Sequence, residues 1–491
     1  MTHRKVSYLQ LLKRAFRCVA GLVIGITLLL LASSHLALAA DAKGTTGAPP
    51  CRFSDAAFDP ATDVKALDEY ADAIAQLLKR ERFAEIDCLA DSARATKVQF
   101  SGGYWKLHNI YKGLESPRPG HPTQEDWHRH FVLIRRWAER NPRSITARVA
   151  LAESYTDYAW DARGEGFSDS VSDSGWKLFR VRSEKAKEVL DRAAALRTKC
   201  PEWFLAMQDV GQALGWNLPK LTELFQQAAN FAPDYSYYYR VYAVQLLPKW
   251  SGEEGDAARF AEAAANKVGG DNGDILYYQI ASEAVCGCHD RDSTYFSWPR
   301  VQKGYAALEA KYGPSLLTLN HFAALASDFK DWVAAKAAFQ RIGDNWAEEV
   351  WRDEQSFESS QAIATQNAAV QSVFLANEKE AESNMQGPEW ESYRKGFEEK
   401  LAAFEQSCKD AANDPKEASA DSTPFDLMIS IGTGGSVEKA RGLNLPASAQ
   451  CLIKALYDSH IKGEKPFPAP PKAPYWVVAH IDPSKIDSAM K

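Results

Sequence analysis

The sequence predicts a mainly α-helical protein of stacked helical hairpins, with a small α+β domain at its C-terminal end. Three observations predict this fold. Over residues 51–351, apolar residues recur at helical spacing in segments that short turns separate. Small and bulky residues occupy repeated positions, as in hairpin repeats that bury a shared core. After Pro424 the pattern changes to the two-residue period of β-strands.

The first hairpin consists of two apolar runs, at residues 67–78 and 83–90, which the polar residues 79–82 interrupt. Thr123 and Ser144 are the predicted N-caps of the next two helices, because a hydroxyl oxygen at this position can accept a hydrogen bond from a free backbone N–H group. Two later units share a small residue, a bulky residue and a proline in the same order: Ala193, Leu196 and Pro201, then Ala228, Phe231 and Pro233.

This order is similar to the tetratricopeptide motif, in which such residues close the second helix of each hairpin. The spacing varies, and residues 164–174 and 269–273 are predicted insertions, so the stack is TPR-like rather than a regular array. The predicted segments are a signal peptide at 1–40, an N-terminal linker at 41–63, the helical domain at 64–356, a charged helical connector at 357–412, a polar linker at 413–424 and the α+β domain at 425–485.

In the predicted α+β domain, the order of elements is β-hairpin, helix, strand. Phe425, Leu427, Ile429 and Ile431 alternate with other residues at strand period, and residues 432–435 form the turn. The second strand is predicted at 437–440, the helix at 447–457 and the last strand at 475–481.

The N-terminus has the three parts of a secretory signal. Five lysine and arginine residues come first, an apolar run follows at 18–31, and small residues end at Ala39 and Ala40. Cleavage near Ala39 or Ala40 predicts a periplasmic or secreted protein. The alternative is an uncleaved inner-membrane anchor, because the apolar stretch nearly reaches the ~20 residues that a span requires. Membrane contact is expected only in that case.

The charge balance argues against nucleic acid as a partner. The whole chain has a net charge of −6, and removal of the basic signal makes the remainder more acidic. An acidic surface repels phosphate backbones.

The chain has no phosphate-binding loop, serine elbow or zinc-protease helix, so neither catalysis nor a cofactor is expected.

Two disulfides are predicted, because export places the cysteines in an oxidising compartment. Cys408 precedes the first C-terminal strand and Cys451 lies on the helix that should cover the sheet, so the two can approach to bonding distance. Cys51 and Cys88 are the second predicted pair, which ties the mature N-terminus to the first hairpin. Seven cysteines remain after the signal, and this odd number leaves at least one thiol outside intramolecular pairs.

Cys286, Cys288 and His289 suggest metal handling, because thiolates and imidazole bind zinc or copper. A metal site needs further ligands, and none lies at a recognisable spacing. The favoured interpretation is therefore a loop whose cysteines pair elsewhere, one of them with Cys200, and no metal site is predicted.

Trp160, Asp161 and Arg163 form a candidate ligand-binding cluster near a predicted helix end. An Asp–Arg ion pair and an indole face are able to hold a ligand. The favoured alternative is structural, with Trp160 packed between hairpins and Asp161 paired with Arg163. Asp161 and a second acid are also the basis of a hydrolase hypothesis, which requires two carboxyl groups ~5–10 Å apart in one cleft.

An aromatic run that includes Tyr237 and ends near Trp250 is a second candidate for partner binding, since aromatic side chains anchor recognition surfaces. Packing between helices explains the run equally well.

Three histidines, His121, His128 and His130, suggest a metal site at first. His128 and His130 are two residues apart on a helix, however, and such residues point to different faces. The predicted role of these histidines is a solvated helix surface.

Several sequence blocks, in order, resemble a bacterial exported helical family whose domain has no assigned function. The blocks are Trp105-Lys106-Leu107, 147–152, 158–164, Cys200-Pro201-Glu202-Trp203, 273–277 and Ser297-Trp298-Pro299. The resemblance covers about 68–351 and implies a fold but no activity.

The C-terminal part is similar to the carboxy-terminal domain of TonB-like proteins, through Gly435-Ser436-Val437, 467–471 and Tyr475-Trp476-Val477. That resemblance implies a small α+β fold; the chain lacks the long Pro/Lys/Glu spacer of the energy-transducing members.

The leading hypothesis from the sequence is a non-catalytic scaffold of the periplasm or the secreted fraction. Stacked hairpins provide an extended concave surface for a protein or cell-envelope partner, and the α+β end adds a second contact. The alternatives are an envelope-polymer hydrolase that uses acids near Asp161 and metal handling through Cys286, Cys288 and His289.

Overall fold

A computed structural model describes residues 51–118, 122–164, 168–286, 295–412, 424–443, 445–446 and 449–482. The predicted signal lies outside these residues, as do Cys288, His289 and the side chain of Cys286. The chain from Cys51 onward forms one compact unit. Among the described residues, no helix combines the length and the apolar character that a membrane span needs.

The described residues contain eighteen α-helices and five β-strands, which confirms a mainly α fold with a small α+β end. The first nine helices are α1 Ala66–Lys79, α2 Phe83–Thr96, α3 Lys106–Lys112, α4 Gln124–Arg140, α5 Ile145–Arg163, α6 Asp173–Ala193, α7 Pro201–Ala213, α8 Leu218–Phe231 and α9 Tyr237–Gln245. The other nine are α10 Asp256–Val268, α11 Gly270–Cys286, α12 Trp298–Tyr312, α13 Leu316–Asp328, α14 Trp332–Ile342, α15 Glu348–Trp351, α16 Glu354–Met385, α17 Pro388–Ala412 and α18 Ala449–Ile461. The strands are β1 Gln99–Phe100, β2 Tyr104–Trp105, β3 Phe425–Ile431, β4 Val437–Arg441 and β5 Tyr475–Ile481.

Local sequence fixes where the helices begin. The Thr123 side chain accepts a hydrogen bond from the Asp126 backbone N–H, and the Asp126 carboxylate accepts one from the Thr123 backbone, which forms a capping box. The Ser144 side chain accepts a hydrogen bond from the Ala147 N–H group. Both predicted N-caps are confirmed.

Small residues allow consecutive helices to approach closely. Ala261 and Ala265 on α10 are fully buried against α11. A Cβ atom added to Gly304 on α12 would lie 2.1 Å from the Asp274 carbonyl oxygen on α11, so only glycine fits this crossing. Two large apolar cores result, one centred on α1–α7 and the other on α8–α16.

Residues 99–112, which we call the inner segment, contain β1, β2 and α3 and lie against helices from much later in the chain. Trp105 packs on Tyr235, with ring centroids 4.9 Å apart. The Thr318 hydroxyl donates a hydrogen bond of 3.1 Å to the Tyr104 hydroxyl across 214 residues of sequence. The inner segment therefore packs against Tyr235, just before α9, and against Thr318 on α13, which belong to the later part of the chain.

The C-terminal sheet is antiparallel, with strand order β4-β3-β5 and a register that pairs Phe425 with Ile481. Helices α17 and α18 cover one face, where Phe397 and Leu456 share a core with Leu427. Helix α16 covers the other face, where Phe374 packs with Met428 and Trp476. Residues 357–412, which we predicted to be a charged connector, therefore supply much of the core around the sheet.

Both predicted disulfides are present. Cys51 is bonded to Cys88 and Cys408 to Cys451, with Cα–Cα distances of 5.8 and 5.7 Å. Cys200 is a buried free thiol, so the expected pairing of Cys200 with a cysteine of the 286–288 loop is wrong. The Tyr111 hydroxyl and the Arg94 guanidinium surround its sulfur instead.

We expect Gly102→Ala to destabilise the closure made by the inner segment. Gly102 has a φ of 77°, and an added Cβ would lie 2.5 Å from the Ser315 Cβ atom. Gly215 has a φ of 66° with no atom within 4 Å of such a Cβ, which makes Gly215→Ala a matched control for backbone strain alone. Chemical denaturation should show a loss of about 3 kcal/mol for Gly102→Ala and about 1 kcal/mol for Gly215→Ala. Equal losses would contradict the close contact.

Candidate functional site

A charged cavity of about 350 Å³ lies beside the inner segment, between α3, α5, α7, α9 and α11. We call it the central chamber. Its lining residues are His108, Lys112, Glu115, Glu153, Thr156, Asp157, Glu202, Leu205, Ala206, Asp209, Tyr237, Arg240, Val241 and Glu283. Six of these residues are carboxylic acids, whereas only Lys112 and Arg240 carry a permanent positive charge. The chamber therefore holds more acids than its own cations can neutralise.

Helical spacing brings these acids together. Glu153 and Asp157 are four residues apart on α5, so they lie on one face. Glu202 and Asp209 are seven residues apart on α7, which again places them on one face. The two faces meet because α5 packs against α7.

Glu202 is held rigidly at the base of the chamber. The residue is 1% exposed, and its carboxylate lies 2.7 Å from Nδ1 of His108. The Tyr235 hydroxyl donates a hydrogen bond to the other carboxylate oxygen. The His108 ring in turn stacks on Tyr237 at 3.8 Å, so α3, α7 and α9 are joined at this point.

Two ion pairs balance two further acids. Arg240 donates two hydrogen bonds to one Glu283 oxygen, at 3.0 and 2.5 Å. The positive charge of Arg240 holds the pKa of Glu283 below its usual value. Lys112 contacts Glu115 where the chamber opens to solvent, since the Lys112 side chain is 46% exposed.

The other three acids have raised pKa values. Burial, together with the nearby Glu115 charge, raises the pKa of Asp157 to about 8. Burial and the Glu202 charge raise the pKa of Asp209 to about 7. The same two effects raise the pKa of Glu153 well above its usual value. Oxygen Oε2 of Glu153 is inaccessible to solvent and has no hydrogen-bond partner.

This arrangement is able to exchange protons near neutral pH and to attract a positively charged group. Among the described residues, no group of three or more His, Cys, Asp or Glu side chains has the geometry to hold a metal ion. The proposed metal handling by Cys286, Cys288 and His289 depends on residues outside the described part of the chain.

Of the site residues predicted from the sequence, Tyr237 lines the chamber. Trp160, Asp161 and Arg163 lie further along α5, outside its lining. Trp160 packs on Phe179 with centroids 4.9 Å apart, and the Arg163 guanidinium lies 5.4 Å from the Trp160 ring centroid. The ion pair of Asp161 is with Arg182, at 3.9 Å, and not with Arg163 as predicted.

The aromatic run has a mainly structural role. Trp250 is 43% exposed and does not line the chamber, whereas the tyrosines of α9 are buried in the core. Tyr239 lines a second, wider cavity of about 930 Å³, together with Trp105, Phe225 and Phe260. Packing thus accounts for most of the aromatic side chains that we had considered for partner binding.

The expectation of a solvated surface is wrong for His130. This residue is 7% exposed, and its Nε2 atom lies 3.0 Å from the Leu114 carbonyl oxygen and 3.1 Å from the Ser154 hydroxyl. Burial lowers the pKa of His130 to about 4. His128 is exposed, as predicted, and His121 lies outside the described residues.

Comparisons with protein-family models, with characterised proteins and with solved structures gave no match for the chain.

The sequence analysis did not predict the central chamber, because acidic residues on helices are usually solvated. The available signal was the pairing of Glu153 with Asp157 and of Glu202 with Asp209 on faces that also carry buried apolar residues.

We expect Asp157→Asn to stabilise the protein at alkaline pH. The pKa of Asp157 is raised from 3.8 to about 8, so the folded state binds more protons than the unfolded state between these values. The contribution of Asp157 to the free energy of unfolding therefore falls as the pH rises through this window. Asparagine cannot ionise and avoids this loss. At pH 9 the free energy of unfolding of the variant should therefore exceed that of the wild type by on the order of a few kcal/mol, and near pH 4 the two values should match.

Thermal and urea denaturation at both pH values measure this difference. Asp161→Asn is the matched control, because Asp161 lies one turn further along the same helix and outside the chamber. A difference between wild type and Asp157→Asn that does not change with pH would contradict the assignment.

Proposed function

We propose that this protein is a non-catalytic binding scaffold of the periplasm or secreted fraction, and that it holds a group of a protein or cell-envelope partner in the central chamber. The observation that carries the proposal is the excess of buried carboxyl groups over cations in a preformed cavity. The signal-like N-terminus and the two disulfides support an oxidising, extracytoplasmic location.

The energetic cost of the chamber supports a role in binding. Buried acids without a cationic partner destabilise a free protein, because ionisation in a low-dielectric site is unfavourable. Glu153, Asp157 and Asp209 are in this position. A partner that supplies positive charge stabilises the folded state by mass action and offsets this cost.

The α+β end supports a second point of contact. Tyr457 and Ile461 lie on the outer side of α18, with 55% and 74% of their surface exposed. Aromatic and aliphatic side chains at such positions are common anchors of protein interfaces.

A capture experiment tests the scaffold proposal. The protein is immobilised, exposed to cell-envelope extract, and the retained proteins and glycans are identified by mass spectrometry. Val241 lines the chamber, so Val241→Trp should block it and reduce the retained partner about tenfold, which corresponds to ~1.4 kcal/mol of binding free energy. Val333→Trp, at an exposed site on α14, is the matched control and should retain the partner. Equal retention by both variants would exclude the chamber as the binding site.

A second candidate function is hydrolysis of an envelope polymer by acid–base catalysis. The favouring observation is that acids in one cavity have pKa values shifted in opposite directions, lowered for Glu283 and raised to about 7 for Asp209. Asp161 lies outside the lining of the chamber, and Asp157, one turn before it on α5, is the lining acid near it.

Hydrolysis is tested by incubating the protein with purified peptidoglycan and measuring released reducing ends. If the protein is a hydrolase, Asp209→Asn should abolish the release while Asp161→Asn should not, because only Asp209 faces the chamber. No release by the wild type, or full activity of Asp209→Asn, would reject this candidate.

A further inference from the structure

We infer that the central chamber binds an organic cation, namely the primary ammonium or guanidinium group of a lysine, an arginine or a polyamine. This inference rests on the proposed binding function and specifies the chemistry of the ligand. It is carried by the charges that face the chamber, by one buried acceptor without a donor, and by the composition of the walls.

The charged groups come from all five helices around the chamber. The existing ion pairs are Lys112 with Glu115 and Arg240 with Glu283, and the His108 ring lies at hydrogen-bond distance from Glu202. Glu153, Asp157 and Asp209 remain, and within the described residues none of the three has a cation at ion-pair distance. The unbalanced groups are thus three carboxyls that α5 and α7 direct to the same space.

The buried oxygen of Glu153 is an independent indication of a ligand. Oε2 has no solvent-accessible surface and accepts no hydrogen bond, although its residue lines an open chamber. Nearly all buried polar atoms in folded proteins have a hydrogen-bond partner. An ammonium group supplies three donors and a guanidinium group five, so either is able to donate to the Glu153 carboxyl group and to a neighbouring carboxylate.

The dimensions of the chamber favour an organic cation over a metal ion. A metal ion needs several oxygen ligands that converge at ~2.0–2.6 Å, and no such group exists among the described residues. A volume of about 350 Å³ instead accommodates a side chain or a short polyamine. Donors at the ends of a flexible carbon chain are able to reach acids on separate helices.

The uncharged walls suit the carbon stem of such a ligand. Leu205, Ala206 and Val241 supply apolar surface, against which the methylene groups of lysine, arginine or a polyamine pack. The Tyr237 ring is already in contact with the chain's own groups, the Arg240 guanidinium 5.0 Å from its centroid and the His108 ring at 3.8 Å.

Isothermal titration calorimetry of the whole protein with 1,4-diaminobutane tests the inference, and 1,4-butanediol is the uncharged probe of similar size. We expect binding of the diamine and none of the diol, because only the diamine supplies charge. Glu153→Gln and Asp157→Asn should each weaken diamine binding about tenfold or more, whereas Asp161→Asn should bind like the wild type. A binding isotherm unchanged in Glu153→Gln and Asp157→Asn, or equal binding of the diol, would overturn the inference.

Competition with MgCl₂ at constant ionic strength separates a specific site from general attraction of counterions. Binding of the diamine should persist in excess Mg²⁺, and complete displacement of the diamine by Mg²⁺ at equal concentration would overturn the inference.

Failure of the cation inference can be distinguished from failure of the scaffold proposal. If the diamine does not bind but Val241→Trp still loses the envelope partner, only the cation class is wrong; if Val241→Trp retains the partner, the binding role of the chamber is wrong as well.

Discussion

The inner segment packs against helices from much later in the chain, and this packing positions side chains in both large cavities. Trp105 packs on Tyr235, and Tyr104 accepts a hydrogen bond from Thr318, far along the chain. These contacts close the helical stack and bring His108 and Lys112 to the chamber. The same segment contributes to the lining of both cavities, with His108 and Lys112 in the charged chamber and Trp105 in the wider aromatic cavity.

The chamber shows how stability and binding oppose each other in this fold. Ion pairs to Arg240 and Lys112 compensate only part of the buried negative charge. The pKa values of buried acids such as Asp157 and Asp209 are then raised toward or above neutral pH, because ionisation without a counter-charge is costly. Natural proteins accept such local costs mainly at functional sites, which is why we give the chamber more weight than the exposed aromatic residues.

The C-terminal end is joined to the helical stack by α16. This helix packs on α14 at one end and on β5 at the other, and Asn384 donates a hydrogen bond to the Trp476 carbonyl. The Cys408–Cys451 disulfide links α17 to α18 on the opposite face of the sheet. The sheet is therefore covered on both faces, and its strands are more buried than an alternating pattern indicates.

Features that depend on short-range patterns were predictable from the amino-acid sequence. The helical hairpins, the caps at Thr123 and Ser144, the strands of the α+β end and both disulfides follow from spacing and local chemistry. The burial of particular polar residues was not predictable in this way, because it depends on how distant helices pack. His130 lies on the amphipathic helix α4, and Glu153 lies on α5, whose sequence has no distinct polar face, so periodicity alone does not show whether either side chain is buried. Burial is decided by which helix packs on that face, and for the chamber this depends on a segment that folds back from the N-terminal end.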